Sequence, residues 1–207
     1  MTKIILTRHG HVEGIRPRRF RGRTELALTE RGRAEAKAVA ARIAEAWKPV
    51  KVYTSPMDRC VATGREIALA CNTDSEVVAA LNDLDYGRWR WLTDDEVRAA
   101  WPDLFAAWYA NPHHVRFPDG ESLQDLVARA ADVLRLVLER HPGTSETVVL
   151  VGHESVNRAL LLQLLDQPLS AYWRLDQSPC AINEIDLARD GILVRRVNET
   201  HHLRGLD

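Results

Sequence analysis

Cysteine is scarce in this chain: Cys60, Cys71 and Cys180 are the only three among 207 residues. An odd number of widely spaced cysteines does not make a disulfide framework, and none stands at the spacing of a zinc site. We therefore expect these cysteines to be small buried side chains in a reducing compartment.

The sequence also lacks an excess of charge of either sign and lacks a long apolar run. Lysine and arginine number 28 against 29 aspartates and glutamates, a net charge of −1, whereas nucleic-acid-binding proteins are usually strongly basic. No apolar stretch approaches the roughly 20 residues of a membrane span, and the apolar start is too short for a signal peptide. We expect no nucleic-acid partner, no membrane partner and a cytoplasmic location.

What remains is a composition typical of a globular protein, with 45% hydrophobic and 28% charged residues. A chain of this length can bury roughly 70% of the surface that its unfolded form exposes. Such a chain commonly forms one domain, so we predict a single domain over residues 1–207.

Short apolar runs alternate with helix-like segments. Ile4–Leu6, Val52–Thr54 and Val148–Val151 are predicted strands, and the last lacks polar alternation, as central parallel strands do. A helix is predicted from Thr29 to about Ala46, and two late strands are predicted to meet at a turn at Asp190 and the following glycine. This alternation predicts an α/β fold, a three-layer α/β/α sandwich with a mostly parallel central sheet.

The residues directly after each predicted strand are the candidates for a site, because ligands of such sheets bind beyond the carboxyl ends of the strands. Thr7-Arg8-His9-Gly10, Ser55-Pro56-Met57-Asp58-Arg59 and Gly152-His153 occupy these positions. Arginine presents a planar fork of donors that matches a tetrahedral oxyanion, and imidazole can act as nucleophile or acid–base group. Each motif alone is equally compatible with a structural role, but their common position predicts a phosphoryl site that already contains a nucleophile.

These segments resemble the signature motifs of the histidine phosphatase superfamily, in its phosphoglycerate-mutase-like branch. The similarity extends from about residue 4 to 160 and includes Gly22, Leu28–Gly32, Gly87–Trp89 and Gly120–Ser122. The family fold is also a three-layer α/β/α sandwich, which agrees with the prediction made from the alternation of strands and helices.

The resemblance implies specific roles. His9 matches the nucleophile that takes the phosphoryl group as phosphohistidine, and Arg8 and Arg59 match the arginines that hold the phosphate oxygens. His153 matches the second histidine, which donates a hydrogen bond to the transferring group. Asp83 stands at the position of the acid–base residue, usually a glutamate four residues before a glycine. No step requires a metal, and we expect neither a metal nor another cofactor.

Some positions depart from the family pattern. Asp83 is one methylene shorter than glutamate, and Asp85 is a competing candidate that we rank below it. Because a free aspartate has a pKa of about 3.9, we expect burial or the bound phosphate to raise the pKa of Asp83. Neighbouring arginines should lower the pKa of His9 and keep it neutral. Ile15 and Glu154 stand where asparagine and glycine are common in the family.

An arginine-rich segment at residues 16–23 holds five arginines in eight residues. It is either a basic rim that attracts anionic substrates or a solvated loop whose charge serves solubility. Arg21 and Gly22 lie where the family places substrate-contacting loop residues, so both are candidate substrate-binding residues.

The segment from about residue 83 to 120 is irregular in pattern and holds four of the six tryptophans. We predict that it is an insertion that covers the active site and meets the leaving group. Trp89 and Trp91 are expected to belong to the core rather than to contact a ligand.

Together these features predict a metal-independent phosphatase that hydrolyses small phosphate monoesters through a phosphohistidine, with a small phosphorylated metabolite as partner. One alternative is a cofactor-dependent phosphoglycerate mutase, which in the family goes with a longer chain. The other is an inactive relative that binds phosphorylated ligands.

Overall fold

One six-stranded sheet forms the centre of the computed structural model, which describes residues 1–143, 145–188 and 191–206. The strands are β1 (Thr2–Arg8), β2 (Lys51–Thr54), β3 (Ser75–Val77), β4 (Thr147–Gly152), β5 (Ile182–Ala188) and β6 (Gly191–Glu199). Their order is β3-β2-β4-β1-β5-β6. The first four in this order are parallel to one another, and the last two pair antiparallel. Of the predicted turn, Asp190 lies outside the described residues.

Six α-helices connect or flank these strands in the described ranges. They are α1 (Glu30–Ala46), α2 (Asp58–Cys71), α3 (Asp94–Ala100), α4 (Pro102–Ala110), α5 (Leu123–Arg140) and α6 (Glu154–Leu164). The predicted helix after Thr29 is confirmed, and the Thr29 hydroxyl caps it by accepting from the backbone N–H of Gly32 at 3.0 Å. None of the helices in the described ranges is both long and apolar enough to cross a membrane.

Successive side chains of β4 face opposite sides of the sheet, because side chains alternate along a strand. Val148 and Leu150 join a core cluster that includes residues of α5 and α6. Val149 and Val151 join a second cluster with residues of α1 and α2. The sheet is therefore covered by helices on both faces, and the predicted α/β/α sandwich is confirmed. Complete burial of β4 explains why its sequence shows no polar alternation.

Residues 83–120 contain α3, α4 and short 3₁₀ segments. Their aromatic rings form a packed group in which Phe117 meets Trp89 and Trp108 edge to face, with centroid distances of 5.0 and 4.9 Å. Trp89 is fully buried, as predicted, but the core prediction for Trp91 is wrong, since 36% of it is exposed. Trp91 instead lies against the guanidinium of Arg19, 5.3 Å from the ring centroid.

Candidate active site

The register of the parallel strands brings the three predicted motifs to one edge of the sheet. Arg8 pairs with Gly152 at the ends of β1 and β4. The backbone N–H of His9 then donates to the carbonyl of Gly152 at 3.0 Å, and that of Ser55 to the carbonyl of Val151 at 3.0 Å. Residues that follow the three strands are therefore neighbours, although His9 and His153 are 144 positions apart in the chain.

The His9 imidazole is buried beside these strand ends. Its Nδ1 lies 2.7 Å from the carbonyl oxygen of Gly10, so the neutral ring carries its proton on Nδ1 and leaves a lone pair on Nε2. Burial lowers the pKa of His9 well below its ordinary value, and the charges of Arg59, His153 and Arg8 lower it further. The expectation of a neutral His9 is confirmed, with burial as a larger cause than the arginines.

Gly10 allows the His9 loop to approach α1 closely. A Cβ at this position would lie 2.3 Å from the carbonyl oxygen of Gly32, too close for any side chain. The close approach also lets the backbone N–H of Gly10 donate to the hydroxyl of Thr63 at 3.1 Å. The glycine after His9 therefore fixes the loop against two helices.

The guanidinium groups of Arg8 and Arg59 each donate some of their hydrogen bonds to backbone carbonyls. Nη1 of Arg8 donates to Gln177 at 2.6 Å, and Nη1 and Nη2 of Arg59 donate to Thr24 at 2.8 Å and Gly22 at 2.7 Å. Nε and Nη2 of Arg8 and Nε of Arg59 are buried and have no hydrogen-bond partner among the described residues. A buried unpaired donor costs about 1–3 kcal/mol, and more when charged, so these atoms are available to an anion that enters the site.

Asp83 lies beside this position, and Asp85 does not. Oδ2 of Asp83 is 3.2 Å from Nη2 of Arg59 and 3.5 Å from Nδ1 of His153. Asp85 instead accepts from the backbone N–H of Gly87 at 2.9 Å. The structure thus brings Asp83 together with the predicted arginines and histidines, and Asp85 serves the following turn.

Burial does not raise the pKa of Asp83 overall in the free site, and the expected rise on phosphate binding stays a prediction. Burial by itself raises the pKa of this carboxyl, but His153, the Arg59 guanidinium and the Ser155 hydroxyl together hold it below the ordinary value. The pKa of His153 is lowered to about 3, chiefly by burial, with Asp83 opposing the shift. The physical reason is the cationic surroundings of Asp83, whose strength the sequence does not show.

Sequence reasoning missed two serines of the site. Oγ of Ser55 lies 2.7 Å from Nε2 of His153, and Oγ of Ser155 donates to Oδ1 of Asp83 at 2.5 Å. Cys60 also reaches His153, with Sγ 3.4 Å from Nε2, but burial raises the pKa of its thiol. Both serines follow a strand end within three residues, which is the signal that could have identified them.

An outer cleft continues from this position toward the arginine-rich segment. Its walls include His9, Arg18, Arg21, Asp83, Glu154, Ser155 and Arg158. Arg21 is one of the less exposed arginines of residues 16–23 and donates to the carbonyl of Gly14 at 2.7 Å. The carbonyl of Gly22 accepts from Arg59, so Gly22 holds a site arginine.

Glu154 lies among the arginines of this cleft. Its Oε1 is 2.7 Å from Nη1 of Arg158, and its Oε2 is 3.3 Å from Nη1 of Arg8 and 3.7 Å from Nη2 of Arg21. Arg158 is itself fixed by donation to the carbonyl of Leu175 at 2.6 Å. One carboxylate therefore partly balances three guanidinium groups, and the cleft keeps a positive excess.

Within the described part of the chain, no group of three or more His, Cys, Asp and Glu side chains is arranged to hold a metal ion. The convergent donors are guanidinium and imidazole groups. Their chemistry suits an oxyanion with three or more acceptor oxygens.

Comparison with known proteins agrees with this geometry. The family model described as histidine phosphatase superfamily (branch 1) matches residues 4–200. The chain is 32% identical over 203 residues to phosphoserine phosphatase 1 of Hydrogenobacter thermophilus, covering 98% of this chain and 95% of that protein. It is 29% identical over 205 residues to the metal-independent phosphoserine phosphatase of Arabidopsis thaliana, covering 98% and 84%.

Among solved structures, YhfR of Bacillus stearothermophilus superposes with a TM-score of 0.91 at 27% identity, covering 99% of this chain and 100% of that one. The predicted resemblance to the family and the predicted fold are both confirmed. The chain belongs to the histidine phosphatase superfamily, branch 1.

Proposed function

We propose that the protein hydrolyses small phosphate monoesters through a phosphohistidine formed at Nε2 of His9. Its class as a phosphoric monoester hydrolase is confirmed by the family and by relatives that are named phosphatases. The observation that carries the mechanism is the set of buried, unpartnered donors of Arg8 and Arg59 beside a neutral imidazole.

In the first step, the lone pair on Nε2 of His9 attacks phosphorus while the bond to the leaving oxygen breaks. The transition state spreads negative charge over the equatorial oxygens. Arg8 and Arg59 supply donors that need no reorganisation, which is the largest usual contribution to catalysis in such sites. His153, buried and held by Ser55, donates a hydrogen bond to the same group.

Asp83 supplies the proton for the leaving oxygen. Its pKa is low in the free site because positive charge surrounds it. A bound phosphate dianion neutralises much of that charge. Binding of substrate therefore raises the pKa of Asp83 and favours its protonated form. In the second step, the resulting carboxylate accepts a proton from the water that attacks phosphohistidine, and His9 is released neutral.

Phosphoserine is the substrate that we propose to test first. Two relatives that match nearly the whole chain are named phosphoserine phosphatases. The outer cleft offers Arg18 and Arg158 for a carboxylate, and Glu154 for an ammonium group. Both groups of a phosphorylated amino acid therefore find opposite charges next to the phosphate position.

Steady-state hydrolysis tests the reaction. Wild-type protein should release phosphate from phosphoserine and from p-nitrophenyl phosphate in the presence of EDTA, and His9→Ala should lose this activity. Arg65→Met is the matched surface control, because Arg65 is exposed on α2 and should leave the rate unchanged. Turnover that survives in His9→Ala would remove His9 as the nucleophile.

A further inference from the structure

Ser155 and Asp83 form a short hydrogen bond in the wall of the cleft. Oγ of Ser155 donates to Oδ1 of Asp83 at 2.5 Å. Both residues are buried, with 2% and 7% of their surfaces exposed, and both line the cleft together with His9. The serine hydroxyl and the acid–base carboxyl therefore both border the space that a substrate would fill.

The carboxyl group of Asp83 is held in place on both oxygens. Oδ2 contacts Arg59 at 3.2 Å and His153 at 3.5 Å, while Oδ1 also accepts from the backbone N–H of Leu84 at 2.9 Å. Arg59 cannot follow a moving carboxyl, because its Nη1 and Nη2 are bound to the backbone carbonyls of Thr24 and Gly22.

The side chain of Asp83 is also short. An aspartate lacks one carbon–carbon bond of reach relative to glutamate, ~1.5 Å. A carboxyl that is both short and fixed needs a mobile group to carry its proton to the leaving oxygen. A hydroxyl is suited to this task, since it can accept one proton and donate another by rotation about a single bond.

We propose that Ser155 is a catalytic residue that relays the proton between Asp83 and the leaving-group oxygen; this rests on the proposed phosphohistidine mechanism. As the bond between phosphorus and oxygen breaks, the hydroxyl proton of Ser155 moves to the leaving oxygen, and the proton of Asp83 moves to Oγ. Asp83 is then a carboxylate that accepts from the Ser155 hydroxyl, which is the arrangement observed.

The second step runs the relay in reverse. Water attacks the phosphorus of phosphohistidine while its proton passes to Oγ of Ser155, and the serine proton passes to Oδ1 of Asp83. The bond between phosphorus and Nε2 of His9 breaks, so phosphate leaves and the imidazole is again neutral. Protons and electron pairs balance over the two steps, and the only co-reactant is water.

The test compares leaving groups of different basicity in single-turnover formation of phosphohistidine. An alkoxide, as in phosphoserine, needs a proton as it leaves, whereas p-nitrophenolate is stable without one. Ser155→Ala should slow the phosphoserine reaction about 100-fold, the scale of general acid catalysis, and change the p-nitrophenyl phosphate reaction little. Ser178→Ala, a serine in the wall of a separate cavity, is the matched control and should change neither rate.

A second pair of variants separates a relay from a hydroxyl that merely orients the carboxyl. Asp83→Glu lengthens the side chain. In that background, loss of the Ser155 hydroxyl should slow the reaction with phosphoserine less than about tenfold, instead of about 100-fold. Ser155→Thr keeps a hydroxyl, so it should react with phosphoserine much faster than Ser155→Ala does.

Each outcome decides the proposal. Equal slowing of both leaving groups by Ser155→Ala, or the same penalty in the Asp83→Glu background, would overturn the relay while leaving phosphohistidine intact. Circular dichroism and thermal unfolding, compared with the wild type, show in each variant that the protein is folded. Failure of the proposed function looks different, because wild-type protein would then form no phosphohistidine with either substrate.

Discussion

The imidazole rings of His9 and His153 lie 5.3 Å apart between centroids, at an angle of 61°. Parallel pairing of β1 and β4 produces this approach, because Arg8 and Gly152 are partners at the strand ends. The two rings differ in surroundings: His9 is bonded to a backbone carbonyl, and His153 is bonded to Ser55 and faces Asp83. The arrangement leaves a free lone pair on Nε2 of His9, as the proposed nucleophile requires, and places His153 beside it as the proposed donor.

Removal of the Arg59 charge should reduce catalysis strongly. Arg59→Met deletes one of the buried donors that we assign to the phosphate oxygens, and a loss of about 100- to 1000-fold in kcat/KM is expected. Steady-state kinetics with p-nitrophenyl phosphate measures the effect, with Arg65→Met as the control on the same helix. A loss below about threefold would show that Arg59 does not contact the transferring group.

The pH at which activity is lost on acidification should depend on the charge of Arg59. The Arg59 charge helps to lower the pKa of His9, after burial, so His9 stays neutral and reactive well below its ordinary pKa of about 6.5. Removing this cation raises the pKa of His9 and should move the loss of activity on acidification to higher pH. The pH dependence of phosphohistidine formation with an aryl substrate, in wild-type protein and in Arg59→Met, measures the shift; no shift would contradict it.

Glu154 should disfavour substrates that carry a second anionic group without an ammonium. Its carboxylate pairs with Arg158, Arg8 and Arg21, so Glu154→Gln increases the positive excess of the cleft. We expect KM for 3-phosphoglycerate to fall about fivefold, the scale of a partly screened ion pair, while KM for p-nitrophenyl phosphate changes less. An unchanged ratio of the two KM values would show that the outer cleft does not meet the leaving group.

A side chain at Gly10 should destabilise the loop that carries His9. The Cβ of Gly10→Ala would lie 2.3 Å from the carbonyl oxygen of Gly32, and α1 or the loop must shift to relieve it. Overpacking of this kind costs about 1–3 kcal/mol in the free energy of unfolding. Denaturant unfolding measures the loss, and a stability equal to that of the wild type would mean that the loop accommodates the group freely.

A mutase activity is the rival within the family, and it predicts a different product. With 3-phosphoglycerate and a catalytic amount of 2,3-bisphosphoglycerate, the proposed phosphatase should release inorganic phosphate without forming 2-phosphoglycerate. Phosphorus-31 NMR of the reaction distinguishes the products. Rapid isomerisation with no phosphate release would replace the hydrolase by a mutase.

The sequence was sufficient for those parts of the site that depend on backbone topology. Arg8, His9 and His153 come together because strand ends meet at one edge of a parallel sheet, and short apolar runs reveal strands. The pKa of Asp83 could not be predicted, because it depends on charges and a hydroxyl that come from three separate segments. The core prediction for Trp91 failed for a similar reason, since aromatic character does not distinguish a buried ring from one that covers a half-buried arginine at the surface.

The pairing of Ser155 with Asp83 lay beyond sequence reasoning for a further reason. The two residues are 72 positions apart, and their contact depends on the first turn of α6 facing the segment that follows a 3₁₀ helix at Ala79–Leu81. A contact between such distant segments leaves no periodic pattern of residues in the sequence.

The central claim is a covalent phosphoryl group on His9, and chemical quenching tests it most directly. Wild-type protein mixed with phosphoserine and quenched in base within one turnover should carry one acid-labile, base-stable phosphoryl group, which peptide mass spectrometry places on His9. A phosphoryl group on another residue, or phosphate released without any labelled protein at every quench time, would contradict the account.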